Sequence, residues 1–335
     1  MAILKYLYPV TFALLLSGCY EDFVPKIDAE PVLCINSVIT AGQPIDVSVS
    51  HSWMYDSESG ERHHGVDDAE VSIYANGTLQ GGDYIPREGD DIHIVARSEK
   101  YGTAEASVTV PLAVPVAALD FTPEILSVWK NDERPMTESL TFNMRISLKI
   151  VDTHDSDDFF KLDYNWSYPA TGSEPGVIFD ASHAPYAHLS SGTLDFEVEP
   201  IFREYIGVFE SVVGNDDDVM MIFSDRQFAG KDYTLKLQFN NASYNVDAPS
   251  FDPGLYDCSV RFFLTTISRS YYDHEVYLWQ RDTGILGAFG DLGFSDPIWG
   301  YSNVSTGAGV VAARSEVVCS LSLKDFIEKS LQSTD

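Results

Sequence analysis

Leu140-Thr141-Phe142-Asn143-Met144-Arg145-Ile146-Ser147-Leu148-Lys149-Ile150 carries an apolar side chain at every second position over eleven residues. Successive side chains of a strand point to opposite faces, so this stretch buries one face and wets the other. A helix would spread the same residues around its axis. Toward the N-terminus, Ile45, Val47 and Val49 alternate in the same way, as do Ala69, Val71 and Ile73. Ile92, Ile94 and Ala96 repeat the pattern, and Val108 and Val110 close it. Toward the C-terminus, strands are expected around Phe159–Tyr168, Leu194–Val198, Val219–Phe223 and Tyr233–Phe239. Cys258, Val260, Phe262 and Leu264 form another alternating run, and Val317, Cys319 and Leu321 a last one. Helical periodicity is confined to Arg269–Trp279, led by Ser268 as a cap, and Leu323–Leu331.

The expected fold is therefore all-β. An immunoglobulin-like or transthyretin-like sandwich is expected over residues 31–112, with turn chemistry at Ala41-Gly42 and Asn76-Gly77. Pro111 and Pro115 mark a boundary, since proline removes a ladder donor and restricts its predecessor. A larger, mostly antiparallel β domain with a few short helices follows over residues 116–332. Gly172–Gly192, Gly207–Asp218 and Gly284–Gly309 read as long loops, which in a β scaffold are often used for binding.

The chain has 335 residues, 51 acidic against 21 basic, and a formal net charge of -30. With 44% hydrophobic and 13% aromatic residues it has ample material for packed cores, which argues against an acidic disordered chain. So negative a charge repels phosphate backbones and speaks against nucleic acid as a partner. No apolar run after the N-terminus reaches bilayer-spanning length.

The N-terminus sets the expected compartment. Lys5 precedes an apolar stretch, Tyr6–Leu16, that suits a secretory signal over residues 1–18. It ends in Leu16-Ser17-Gly18-Cys19, which resembles a bacterial lipobox. Cys19 is the expected lipidation site, with residues 19–30 as a tether and acyl chains as the membrane anchor. Tyr20, Glu21 and Asp22 resemble the surface-export signal of Bacteroidota lipoproteins.

Catalytic motifs are sparse. With Cys19 acylated, Cys34, Cys258 and Cys319 remain, and Cys258 with Cys319 are either a disulfide or two buried thiols. His274-Glu275 begins a zinc-protease-like motif, but Leu278 stands where the second histidine is required. Asp152–Asp158 and Asp216–Asp218 are dense in hard oxygen ligands that attract calcium, yet neither follows the EF-hand pattern; no cofactor is expected, with calcium as the alternative. There is no nucleophile elbow, and no phosphate loop. Gly307-Ala308-Gly309 lacks the spacing of a dinucleotide fingerprint. Of Trp53, Trp129, Trp166, Trp279 and Trp299, most are expected in cores, with Trp299 the best candidate for exposure.

Several blocks together resemble a family of Bacteroidota lipoproteins known as domain-of-unknown-function 4249. They are Pro31–Ser37 with Asp68–Val71, Phe223–Tyr233, Leu264–Tyr272, and Phe294–Val304 running into Gly307–Val311. The resemblance implies an all-β lipoprotein, often encoded near TonB-dependent outer-membrane transporters, and carries no catalytic residues. Ser224, Asp225, Tyr271, Tyr272, Ser295, Asp296 and Trp299 are the candidate ligand or partner loop, the alternative being loops that only fix the scaffold. The expected role is a non-enzymatic accessory or binding subunit at the outer membrane, facing outward beside a transporter. Rival expectations are a carbohydrate-binding surface protein and a glycoside hydrolase with a hidden carboxylate pair.

Overall fold

The computed structural model describes residues 30–52, 65–131, 136–152, 157–168, 186–190, 192–206, 219–248, 253–282 and 300–332. The N-terminal strands are β1 (Leu33–Thr40), β2 (Ser48–His51), β3 (Glu70–Ala75), β4 (Thr78–Leu79), β5 (Asp91–Ser98) and β6 (Gly102–Thr109). Then come β7 (Val116–Asn131), β8 (Met136–Val151), β9 (Phe159–Ser167), β10 (Tyr186–Ser190), β11 (Thr193–Leu194) and β12 (Ile222–Ser224). The last strands are β13 (Asp232–Ala248), β14 (Ser259–Ile267) and β15 (Val311–Ser322), with helices α1 (Arg269–Asp282) and α2 (Lys324–Gln332). The protein is all-β with few helices, as its alternation implies. None of the described helices is long and apolar enough to cross a membrane.

β8 is the centre of one sheet, ordered β10-β13-β8-β7, with β11 also paired to β13. Leu140, Phe142, Met144, Ile146, Leu148 and Ile150 are all buried. Across from them, β13 buries Leu235, Leu237 and Phe239, then Ala242, Tyr244 and Val246. Its alternation slips by one residue at Asn240-Asn241, where the register jumps from Phe239↔Met144 to Ala242↔Phe142. Asn241 has a φ of 59°, and its N–H is bonded by Asn143 Oδ1 at 3.0 Å. This bulge returns the apolar phase to the core. A strand expected to stop at Phe239 therefore runs on to Ala248.

Several strands were not foreseen, among them β1, β7 and β10. β7 carries Pro123 and bulges between Ala118 and Asp120 and between Ile125 and Ser127, which scramble its alternation. Proline is tolerated because β7 is an edge strand. β10 lies inside the span expected to be a loop at Gly172–Gly192.

A six-stranded sheet, ordered β12-β9-β14-β15-β1-β2, ties the chain together. Toward its β12-β9-β14 end it encloses the larger core with the β8 sheet, closed by Leu323, Ile327 and Leu331 at α2. Toward its β1 end it faces the third sheet, β4-β3-β5-β6, over a smaller core of Leu33, Ile35, Ile92, Ile94 and Val108. That smaller core also takes Val304, Val311 and Ala313 from the C-terminal return. Residues 111–115, with Pro111 and Pro115, lie between β6 and β7 along the chain. In space, however, β1 is bonded in parallel to β15, in the register Ser37↔Val311.

Asn76 and Gly77, with φ of 50° and 76°, form the tight β3–β4 turn. Cys34, Cys258 and Cys319 are free thiols. Cys319 stands opposite Phe262 rather than Cys258, so the two face different neighbours.

Candidate functional site

β14 passes into α1 through a single residue, Ser268. The first N–H groups of a helix have no partner within it, and a serine hydroxyl there can accept from them. Ser268 Oγ accepts from the Tyr271 N–H at 3.3 Å and from the Ala313 N–H of β15 at 3.0 Å. Ser270 Oγ donates to the Val311 carbonyl at 2.9 Å. Asn303 holds Val311 from the loop side, donating to its carbonyl at 2.8 Å and accepting from its N–H at 2.9 Å. The start of α1 is thereby fixed on β15.

From this anchor Tyr272 and Tyr271 go separate ways. The Tyr272 ring packs on Phe159, with centroids 4.8 Å apart. Its hydroxyl donates to Glu204 Oε1 at 3.4 Å, and burial pushes its pKa above the usual tyrosine range. The same Glu204 oxygen accepts from the Ser224 N–H at 2.7 Å. Ser224 and Tyr272 thus do meet, through a shared carboxylate. Ser224 and Asp225 are both buried, and β12 holds Ser224 beside Phe159.

Tyr271 stands instead with His274 and Glu275. With Asn36, Ser37 and Val38 of β1, Asp46, Ser48, Val310 and Ala312, they enclose a cleft of about 490 Å³. That volume falls in the range of small-ligand sites. Val38, Val310, Ala312 and the Tyr271 ring provide apolar surface, while Asp46 and Glu275 bring carboxylates. Glu275 lies 3.9 Å from Lys161 Nζ, which also stands 5.9 Å from the Tyr271 ring centroid. His274 Nδ1 is buried without a hydrogen-bond partner. Burial lowers the His274 pKa, outweighing the upward pull of Glu275. His274 therefore enters the cleft as a neutral imidazole near neutral pH. Sequence singled out Tyr271, and His274-Glu275 only as an incomplete zinc motif, but not the residues of β1, Asp46 or Ser48 that line the cleft with them.

A second cluster lies where three elements end. Asp152 follows β8, Asp158 precedes β9 and Asp225 follows β12. One carboxylate oxygen from each lies within 4.8 Å of the others. Asp225 Oδ1 accepts from the Asp158 N–H, and the Asp225 N–H donates to the Asp158 carbonyl, both at 3.0 Å. Asp152 Oδ2 accepts from the Gly230 N–H at 2.8 Å. Asp225 is 0% exposed and its Oδ2 has no hydrogen-bond partner. Burial above all, joined by the charges of Asp158, Asp152 and Asp157, pushes its pKa up to about 6. The acid run marks Asp152 and Asp158 in the sequence; nothing there indicates that Asp225 joins them.

Trp166 packs edge-on against Phe239 and Trp279 against Tyr205, as core expectations require. Trp129, on β7, is instead 54% exposed. Cys19, Trp53, Asp216–Asp218, Ser295, Asp296 and Trp299 lie outside the described residues. No family model, curated protein or solved structure matches this chain.

Proposed function

We propose that this protein is an outward-facing outer-membrane lipoprotein, anchored through Cys19, that binds a small ligand in the α1 cleft. It acts as a non-enzymatic accessory or binding subunit beside a TonB-dependent transporter. The observation that carries the binding role is the cleft itself, in which Tyr271, His274 and Glu275 face polar and apolar residues of β1. Its carboxylates and the net charge of -30 favour a polar ligand with a cationic group. Acyl anchoring confines the protein near its neighbours and raises their effective concentration, so weak docking suffices.

The test is extraction of the full chain from membranes in mild detergent, followed by native mass spectrometry. Cys19→Ala should move the chain to the soluble fraction. A small molecule retained by the wild type and lost from Tyr271→Ala supports the cleft; identical spectra for the two refute it. A co-purifying transporter supports the accessory role.

The exposure of Trp129 favours a second reading, a carbohydrate-binding surface protein. The ring lies on an edge strand, its register partner Ser139 bonded to Asn245 at 2.7 Å, so an aromatic platform adjoins polar side chains. Glycan binding abolished by Trp129→Ala and kept by Tyr271→Ala would favour this reading over the cleft.

A further inference from the structure

We propose that Asp152, Asp158 and Asp225 bind one calcium ion that rivets the end of β8 to the β9–β12 edge. The first observation is convergence: three carboxylates from sequence-distant positions bring one oxygen each within 4.8 Å of the others. Two ligands at 2.3–2.6 Å from a calcium ion stand at most about 5 Å apart, so a single ion can bridge all three.

The second observation is independent of acidity. Asp225 Oδ2 is fully buried, and among the described residues it is the one buried carboxylate oxygen left without a hydrogen-bond partner. The chain treats its other buried acids differently. Glu138 accepts from the Tyr256 hydroxyl at 2.8 Å. Glu199 accepts from the Tyr233 hydroxyl at 2.7 Å with one oxygen and from the Lys236 N–H at 2.8 Å with the other. A buried charge with an orphaned lone pair is costly, and two more carboxylates beside it raise that cost. A water molecule would supply two protons and no charge. A dication supplies charge and accepts every oxygen offered.

Ligand chemistry narrows the ion. The three side chains offer oxygen donors alone, which suits hard cations over zinc or copper. Calcium tolerates irregular geometry and fills its 6–8 positions with bidentate carboxylates and water, whereas magnesium demands a near-regular octahedron. The site would join two sheets, because Asp152 ends a strand of one while Asp158 and Asp225 flank strands of the other. None of the three lines the α1 cleft.

The test titrates calcium chloride into the chelator-treated full chain, following heat and thermal unfolding. One saturable site per chain is expected, with a midpoint no weaker than about 1 mM, and a Tm several degrees above that in chelator. Asp225→Asn keeps an acceptor for the Asp158 N–H while removing the charge. It should fold in chelator yet bind calcium on the order of 10-fold more weakly or worse. Absence of saturable binding by the wild type overturns the proposal whether or not the variant folds. Equal calcium stabilisation of wild type and Asp225→Asn also overturns it, since the ions would then be held elsewhere on the acidic surface.

Discussion

Gly309 lies against Ile35 so closely that a Cβ on it would stand 2.1 Å from the Ile35 carbonyl oxygen. Around this contact the return segment is laced to β1: the Ile35 N–H donates to the Ala308 carbonyl at 2.9 Å, and the Ala308 N–H to the Leu33 carbonyl at 3.0 Å. Gly307 is as confined, its would-be Cβ 2.4 Å from the Leu33 carbonyl oxygen. A glycine pattern unsuited to dinucleotides thus has a structural use. It lets the C-terminal return approach β1 and start the parallel pairing with β15.

Gly309→Ala should therefore be severe. The residue has a φ of 113°, and the obstructing atoms are backbone. A loss of about 3 kcal/mol or more is expected in urea unfolding. Gly42→Ala is the control, with a φ of 76° but open space around it, and should cost about 1 kcal/mol. Equal losses would mean that close approach to β1 does not matter.

Ser268→Ala removes an acceptor shared by the Tyr271 and Ala313 N–H groups. Loss of a helix cap with a second bond costs about 1–2 kcal/mol. The structural consequence should be local, so hydrogen exchange at the first turn of α1 should quicken while β8 stays protected.

Phe142→Ala empties the centre of the larger core, where the ring is fully buried and packs edge-on to Phe326 of α2 at 4.9 Å. A cost of about 3–5 kcal/mol is expected. Trp129→Ala, on an exposed ring, should cost well under half as much by the same measurement.

His274 links stability to pH. Burial lowers its folded pKa, with Arg281 acting the same way and Glu275 opposing. The unfolded chain then binds the proton more readily, so stability falls as pH drops below the free histidine value of about 6.5. Thermal unfolding of His274→Gln between neutral and mildly acidic pH should show a shallower decline than the wild type. Parallel profiles would remove His274 as a source of the dependence.

Cysteine chemistry should be graded by burial. Burial pushes the Cys258 thiol up to about 12, while Cys34 and Cys319 are half-buried and raised for the same reason. The thiolate is the reactive form, so alkylation in the folded state should reach Cys34 and Cys319 well before Cys258. Peptide mass mapping distinguishes the three sites, and a Cys258–Cys319 disulfide under oxidising conditions would contradict the strand register.

Alternation was enough to identify an all-β chain, to place β8, and to locate both helices with the Ser268 cap, because these depend on side-chain period and local backbone chemistry. β7 and the far half of β13 escaped because bulges shift the period while keeping the same face inward, a compensation visible only against a partner strand. The parallel seam of β1 with β15, the α1 cleft and the gathering of Asp152, Asp158 and Asp225 all join residues far apart along the chain. Such contacts arise from sheet order and sandwich closure, which no local run of residues encodes, and so the tertiary structure alone decided where the candidate chemistry would meet.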